Sequence, residues 1–433
     1  LVTYDIIIWI FRDIYIFNKG GQNVRKVLAL FMIFMLSIGS FGCAQKKSST
    51  DDTMNKNWDT ILKEAKGTTV NFYGWGGSKT TNAWIDDYLT KMLKDKYDIT
   101  LKRVPMNIED ILNKLIGDKQ ANNKKGTIDV VWINGENFYT AKQAGILYGP
   151  FAEKLPNFNK YIDKNSIEVK SDFGYSVEGY EVPYGKAQFV MVYNGSKLSK
   201  TPASAQELLQ FAKENPGKFT YSAPPDFTGS AFVRNIIYDT VGYDKIANAK
   251  PDKASVEKVI QPAMDYLKQL KPYLWNNGKT YPSTIAQLDN MYADNQLLMS
   301  MSYNPNSIPG KVKSGEYPKG TKSFIFNKGT IGNTHFLAMP YNAPNKSGAM
   351  AVINAIITVE AQASKYDPEG WGDLPVLDNS KLSADEKKKF EEIKVGEGVI
   401  PQDKLLSHRI PEVPAQLVPI IEKIWLEQIP GDK

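Results

Sequence analysis

The 433-residue chain has one cysteine and two histidines, and much chemistry is excluded by that shortage. A single thiol forms no disulfide within the chain, and two histidines (His335, His408) give none of the Cys/His spacings of a zinc site. The H-E-x-x-H and G-x-S-x-G signatures are missing, and so is the G-x-x-x-x-G-K-[ST] nucleotide loop. Neither a metal nor a cofactor is expected. The enzyme class left open is a secreted hydrolase of the glycosidase kind, because its paired carboxylates need not be neighbours in sequence. Charge of one sign is also lacking as a block. The net charge of +6 is spread among alternating signs, which describes a solvated surface and excludes a nucleic-acid stripe. Internal repeats are absent, which argues against a surface adhesin. No apolar run is long enough to span a bilayer comfortably.

The one cysteine is informative by position. Arg25 and Lys26 form a positive region, residues 27–38 are apolar, and small residues lead to Ser40-Phe41-Gly42-Cys43. That is the layout of a secretion signal. A lone Cys closing such a run, followed by polar residues 44–52, resembles the bacterial lipobox, in which the thiol is acylated. Ser40 stands where that pattern prefers Leu, and the alternative is an ordinary signal peptide with an incidental Cys43. Several acyl chains would give stable attachment to the outer face of the membrane. Residues 1–23 do not fit a signal peptide and read as upstream translation, with Val24 initiated from a GTG codon and Lys19-Gly20-Gly21 as a translated ribosome-binding site. Residues 44–56 read as a disordered tether.

The chain as a whole is rich in apolar residues (42%) and aromatics (12%), enough for cores and for a pocket lining. The length predicts two lobes. Residues 70–73 are strand-like; Ile85, Tyr88, Leu89, Met92 and Leu93 share a helical face. Residues 99–104 are again strand-like, Ile108, Ile111, Leu112, Leu115 and Ile116 repeat the helical spacing, and residues 128–133 are almost wholly apolar. This β-α-β-α-β alternation predicts an α/β fold with a largely parallel sheet. Two extended stretches, 183–194 and 330–340, flank a second α/β set. Its expected elements are helix 203–213, strand 219–222, helices 230–241, 255–270 and 283–293, and strand 296–302. The chain is therefore expected to cross between lobes twice, lobe 1 comprising 57–186 plus 328–433 and lobe 2 comprising 187–327.

Three stretches carry a family resemblance: Asn71-Phe72-Tyr73-Gly74-Trp75-Gly76-Gly77, the run from Asp226 to Asn235 (DFTGSAFVRN), and the run from Met339 to Lys346 (MPYNAPNK). Their order resembles extracellular solute-binding proteins of the type II periplasmic-binding-protein fold. The resemblance implies two mixed sheets flanked by helices, joined by two crossing strands, with capture by closure. It also implies delivery of a small-molecule solute to a permease driven by a separate ATPase, with no reaction catalysed. A monomer is expected.

The strand-to-helix turns supply the candidate site. Trp75, Gly76, Gly77 and Ser78 come directly after the first strand: glycines admit a ligand to the backbone, Ser78 hydrogen-bonds and Trp75 offers a flat face. A structural turn is the competing reading. Phe227, Thr228, Gly229 and Ser230 repeat the arrangement in the second unit, where Thr228 or Ser230 could equally cap the helix. Arg234 could pair with an anion or form an ordinary surface salt bridge. Asn134 and Glu136 end the third strand, the latter suited to a cation; Tyr184, Tyr303 and Asn304 complete the set, with core packing as their alternative. His335 reads as structural. Helix N-termini suit an anion or carboxylate, whereas the aromatics and Glu136 suit an amine, a sugar or a heteroaromatic cation. No Tyr-Tyr pair favours ferric iron.

Overall fold

A computed structural model describes residues 53–430. The secretion, lipidation and upstream-translation readings, and most of the tether, lie outside the described residues. The end of the expected tether is structured: Thr53–Asn55 form a short 3-10 turn with Thr53 buried.

Helix α1 (Trp58–Ala65) starts where Asn57 accepts from the Thr60 amide at 2.9 Å, and it buries Ile61 and Ala65. Strand β1 (Thr69–Gly74) is followed by helix α2 (Lys79–Ala83), a π-helical stretch Trp84–Leu89 and helix α3 (Thr90–Tyr97), whose expected apolar face is buried through Ile85, Leu89, Met92 and Leu93. Strand β2 (Thr100–Pro105), helix α4 (Ile108–Gln120), strand β3 (Val130–Ile133) and helix α5 (Gly135–Gln143) complete the alternation. Both β2 and β3 pair in parallel with β1.

After β4 (Leu147–Tyr148) and the small hairpin β5 (Ser171–Asp172) and β6 (Tyr175–Ser176), strand β7 (Glu181–Gln188) runs almost directly into β8 (Val190–Asn194). Helices α6 (Ala205–Glu214), α7 (Phe227–Thr240), α8 (Lys253–Leu270) and α9 (Ile285–Ala293) lead to β9 (Met299–Ser302) and β10 (Thr321–Phe324). These two strands flank β8, both antiparallel to it. The chain then returns through β11 (Thr330–Pro340), which is antiparallel to both β7 and β3. The expected double crossing is therefore two adjacent strands, β7 and β11. They belong to a seven-stranded mixed sheet, and the three-stranded sheet lies beyond them.

Two expectations need correction. Residues 219–222 are buried but enter no ladder; the Phe219 carbonyl instead accepts from the Trp275 amide at 2.8 Å. Pro224 and Pro225, two and three residues beyond Ser222, withhold the amides that would continue a strand. Of the tail after Glu360, all of it expected in lobe 1, Ala361, Trp371 and Val376 do join the core of β1 and β3, but the last part, from Val413, packs elsewhere. Helix α10 (Val418–Gln428), preceded by short strand β12 (Arg409–Ile410), buries Ile421, Ile424 and Trp425 in one core with Tyr221, Ile260 and Met264. The Trp425 indole N–H donates to the Tyr221 hydroxyl at 3.0 Å. An amphipathic stripe shows that a helix has a buried face and not which core receives it.

Candidate functional site

A cleft of about 430 Å³ opens between the ends of the larger-sheet strands and the first turns of the helices that pack with the smaller sheet. Trp75, 39% exposed, projects from the loop after β1. A Cβ at Gly77 would meet its indole at 2.5 Å, and one at Gly76 would meet Pro105 at the same distance. These glycines serve close packing that any side chain would disrupt. Ser78 accepts from the Thr81 amide at 3.3 Å and caps α2.

At the end of β3, the Trp132 indole N–H donates to the Asn134 side-chain oxygen at 3.1 Å. The next amide, Gly135, donates to the Asp172 carboxylate. Glu136 accepts from the Asn137 side chain through Oε1 at 3.0 Å, while its buried Oε2 has no partner. Burial first, and then repulsion from Glu422, push the Glu136 carboxyl up to about 7, with Arg234 opposing.

Across the cleft, Asp226 organises the turn. Its carboxylate accepts from Ser222 Oγ at 2.6 Å, from the Gly229 amide at 2.9 Å and from the Ile285 amide at 2.9 Å, joining the N-termini of α7 and α9. Asp226 is therefore the cap of α7, not Thr228 or Ser230, which lie within its first turn. Phe227 and Thr228 line the cleft, and the Phe227 ring packs 5.1 Å from that of Tyr303. Asn304 donates to the Trp371 carbonyl at 2.8 Å. The floor is aromatic: Trp132 contacts His335 and Trp371 at 5.3 and 5.6 Å between ring centres, and His335 lies nearly parallel to Trp371. His335 Nε2 is 3.1 Å from Asp373, whose other oxygen takes the Lys365 ammonium at 2.7 Å.

Nine of the thirteen residues read as ligand-facing lie on this cleft: Trp75, Gly77, Ser78, Asn134, Glu136, Phe227, Thr228, Tyr303 and Asn304. Gly76 is set back against Pro105. Tyr184 is buried beneath the floor, 5.6 Å from Trp132. Gly229 faces the Ser222 carbonyl, 1.9 Å from where a Cβ would stand. Ser230 is buried, accepting from Arg234 and donating to Glu422 at 2.6 Å each. Arg234 is no surface cation: it is buried against Glu412.

Sequence reasoning does not place Trp132, Asp226, Asp289, His335, Trp371 or Asp373 in the site. Gly370-Trp371-Gly372 in the irregular tail carries a faint signal. His335 is legible only as a crossing-strand residue.

The profile of a bacterial extracellular solute-binding protein family matches residues 83–393, most of the chain. The chain belongs to that family. It is accordingly the substrate-binding component of an ABC transporter for a small solute and not an enzyme, which sets aside the paired-carboxylate hydrolase. Protein YnjB of Escherichia coli (strain K12) is 36% identical over 378 residues, 87% of this chain and 95% of that protein. Solute-binding architecture also appears in two solved structures. One is a putative spermidine/putrescine ABC transporter from Listeria monocytogenes (TM-score 0.58, 16% identity, 83% of this chain and 98% of that one). The other is the periplasmic binding protein AfuA from Actinobacillus pleuropneumoniae with fructose-6-phosphate bound (TM-score 0.58, 14% identity, 84% and 98%). At these identities the likeness speaks for the fold, which agrees with the α/β architecture expected from the sequence.

Proposed function

We propose that this solute-binding protein holds its solute in the cleft between the two sheets, with Trp75, Trp132 and Trp371 covering the apolar body of the ligand and Ser78, Asn134, Glu136 and Thr228 meeting its polar groups. The observation that carries this reading is the convergence of strand-to-helix turns from both α/β sets on one cleft of about 430 Å³, a size suited to a small molecule. Residues 57–186 and 328–410 form one lobe. Residues 187–327 form the other, with the tail from Val413 joined to it. Closure flexes the crossing strands β7 and β11. A thermal-shift screen of the purified protein tests the reading, since a ligand bound only by the folded state raises the melting temperature. Trp75→Ala and Trp371→Ala should abolish the shift while the circular dichroism spectrum stays intact. A shift unaltered by both would remove the cleft from solute binding.

We further propose that the mature protein is anchored to the outer face of the membrane through acylated Cys43 and acts as a monomer, delivering solute to a permease that a separate ATPase drives. Cys43→Ser should move the protein from the membrane to the soluble fraction and remove metabolically incorporated palmitate. Retention at the membrane would refute the anchor.

A further inference from the structure

The helix N-termini around the cleft would ordinarily invite an anion. Here protein carboxylates already take amides at three of them, and the Ser78 hydroxyl caps a fourth, α2. Asp226 takes the amides of Gly229 and Ile285 at the starts of α7 and α9, and Asp172 takes the Gly135 amide at the start of α5. At the start of α4, Glu109 and Asp110 stand in the first turn.

The side chains have the same bias. Glu109, Glu136, Asp226, Asp289 and Asp373 line the cleft, against Lys311 as the one lysine or arginine. Lys311 is committed, since its ammonium is 2.6 Å from Asp289. Among the cleft-lining residues, two buried side-chain polar atoms lack a partner, Glu136 Oε2 and His335 Nδ1. A carboxylate oxygen only accepts. An imidazole whose Nε2–H is given to Asp373 presents an acceptor at Nδ1. A buried acceptor left without a donor is costly, so both atoms call for N–H or O–H groups from a ligand. Indole faces complete the surroundings, and indole is the side chain that attracts cations best through its π-face.

We infer that the solute is an organic cation with a flat body and N–H donors, its positive charge set against Glu136 and its body held by the tryptophans. This inference rests on the cleft being the solute site. A carboxylate or phosphate ligand is disfavoured, because it would enter a cleft with an excess of carboxylates and no uncommitted lysine or arginine.

Calorimetric titration of the full chain with a matched set of probes tests the charge: N1-methylnicotinamide (cation), nicotinamide (neutral) and nicotinate (anion). Thiamine serves as a larger cation with two flat rings, and glucose and fructose 6-phosphate as non-cationic controls. At least one of the two cations should bind, with tenfold or greater preference over neutral and anionic probes. Glu136→Gln, which keeps the shape of the side chain, should weaken that cation at least tenfold at pH 8; Glu136→Asp should recover part of the loss. Tighter binding of nicotinamide, nicotinate, glucose or fructose 6-phosphate overturns the cation assignment, as does failure of every cation in the set or indifference of cation binding to Glu136→Gln. The cleft reading fails separately, if a probe binds equally well to the wild type, Trp75→Ala and Trp371→Ala.

Discussion

Arg234 holds Glu412 through two hydrogen bonds, Nε to Oε2 at 2.9 Å and Nη2 to Oε1 at 3.1 Å, with both side chains almost fully buried. The pair ties α7 to the segment after β12, and the Tyr303 hydroxyl adds a third bond by donating to Glu412 at 2.8 Å. A cleft aromatic is thus positioned by an ion pair that lies behind the cleft.

Removing one member leaves the other charge buried and alone, which typically costs about 3–5 kcal/mol. Arg234→Met should therefore destabilise the protein strongly in urea unfolding, and Arg234→Lys should recover little because the two-point geometry is lost. The double variant Arg234→Met with Glu412→Leu should be milder than either single change. Additive losses would show that the two residues do not act as a pair.

Glu136 makes stability depend on pH. Its carboxyl is raised from an ordinary 4.5 to about 7 by burial and by Glu422, with Glu412 adding to the repulsion, Arg234 opposing it and Asp172 also close by. The folded state therefore binds this proton more tightly than the unfolded chain does. The contribution is fully present below about pH 4.5 and is lost as pH rises through about 7. Without ligand, Glu136→Gln should stabilise the protein at pH 8 by roughly 1–3 kcal/mol relative to its effect at pH 4.5. An equal effect at the two pH values, measured by denaturant unfolding, would sink the claim.

Two glycines separate packing of the site from packing of the core. Gly77→Ala pushes a methyl into the Trp75 indole, a movable group, so solute affinity should fall about tenfold or more with melting temperature little changed. Gly229→Ala drives its methyl into the Ser222 backbone carbonyl, which has little room to yield, and should cost about 2–4 kcal/mol of stability. Comparable melting temperatures for the two variants would contradict this division.

Lys365 and Asp373 are both buried, and His335 shares the carboxylate. Lys365→Met should cost roughly 3–5 kcal/mol by stranding the Asp373 charge. Paired with Asp373→Leu it should cost less, and a double-mutant cycle by chemical denaturation measures the coupling.

Much of the fold is legible in the sequence because it rests on short-range pattern. The helical spacing of Ile108, Ile111, Leu112 and Leu115 and the apolar run at 128–133 mark α4 and β3, and residues 330–340 form β11 along their whole expected length. Residues 219–222 mislead because a buried segment outside any ladder and a strand have the same composition; the difference lies in where the backbone bonds go. The site is half legible. Trp75, Asn134, Phe227 and Thr228 are given by their places at strand ends and helix starts, whereas Trp371 and Asp373 come from an irregular segment with no periodicity to locate them.

By itself, the sequence determined the alternating elements, the two crossings and most of the turns that line the cleft, since all depend on residue order over a few turns or strands. Only the tertiary structure decided which polar atoms remain free. Asp226 and Asp172 take amides at the starts of α5, α7 and α9, Lys311 is spent on Asp289, and Glu136 Oε2 and His335 Nδ1 are left without partners. Hydrogen-bond satisfaction depends on partners up to hundreds of residues apart in the chain, and such pairing is set when the cores close, not by local pattern.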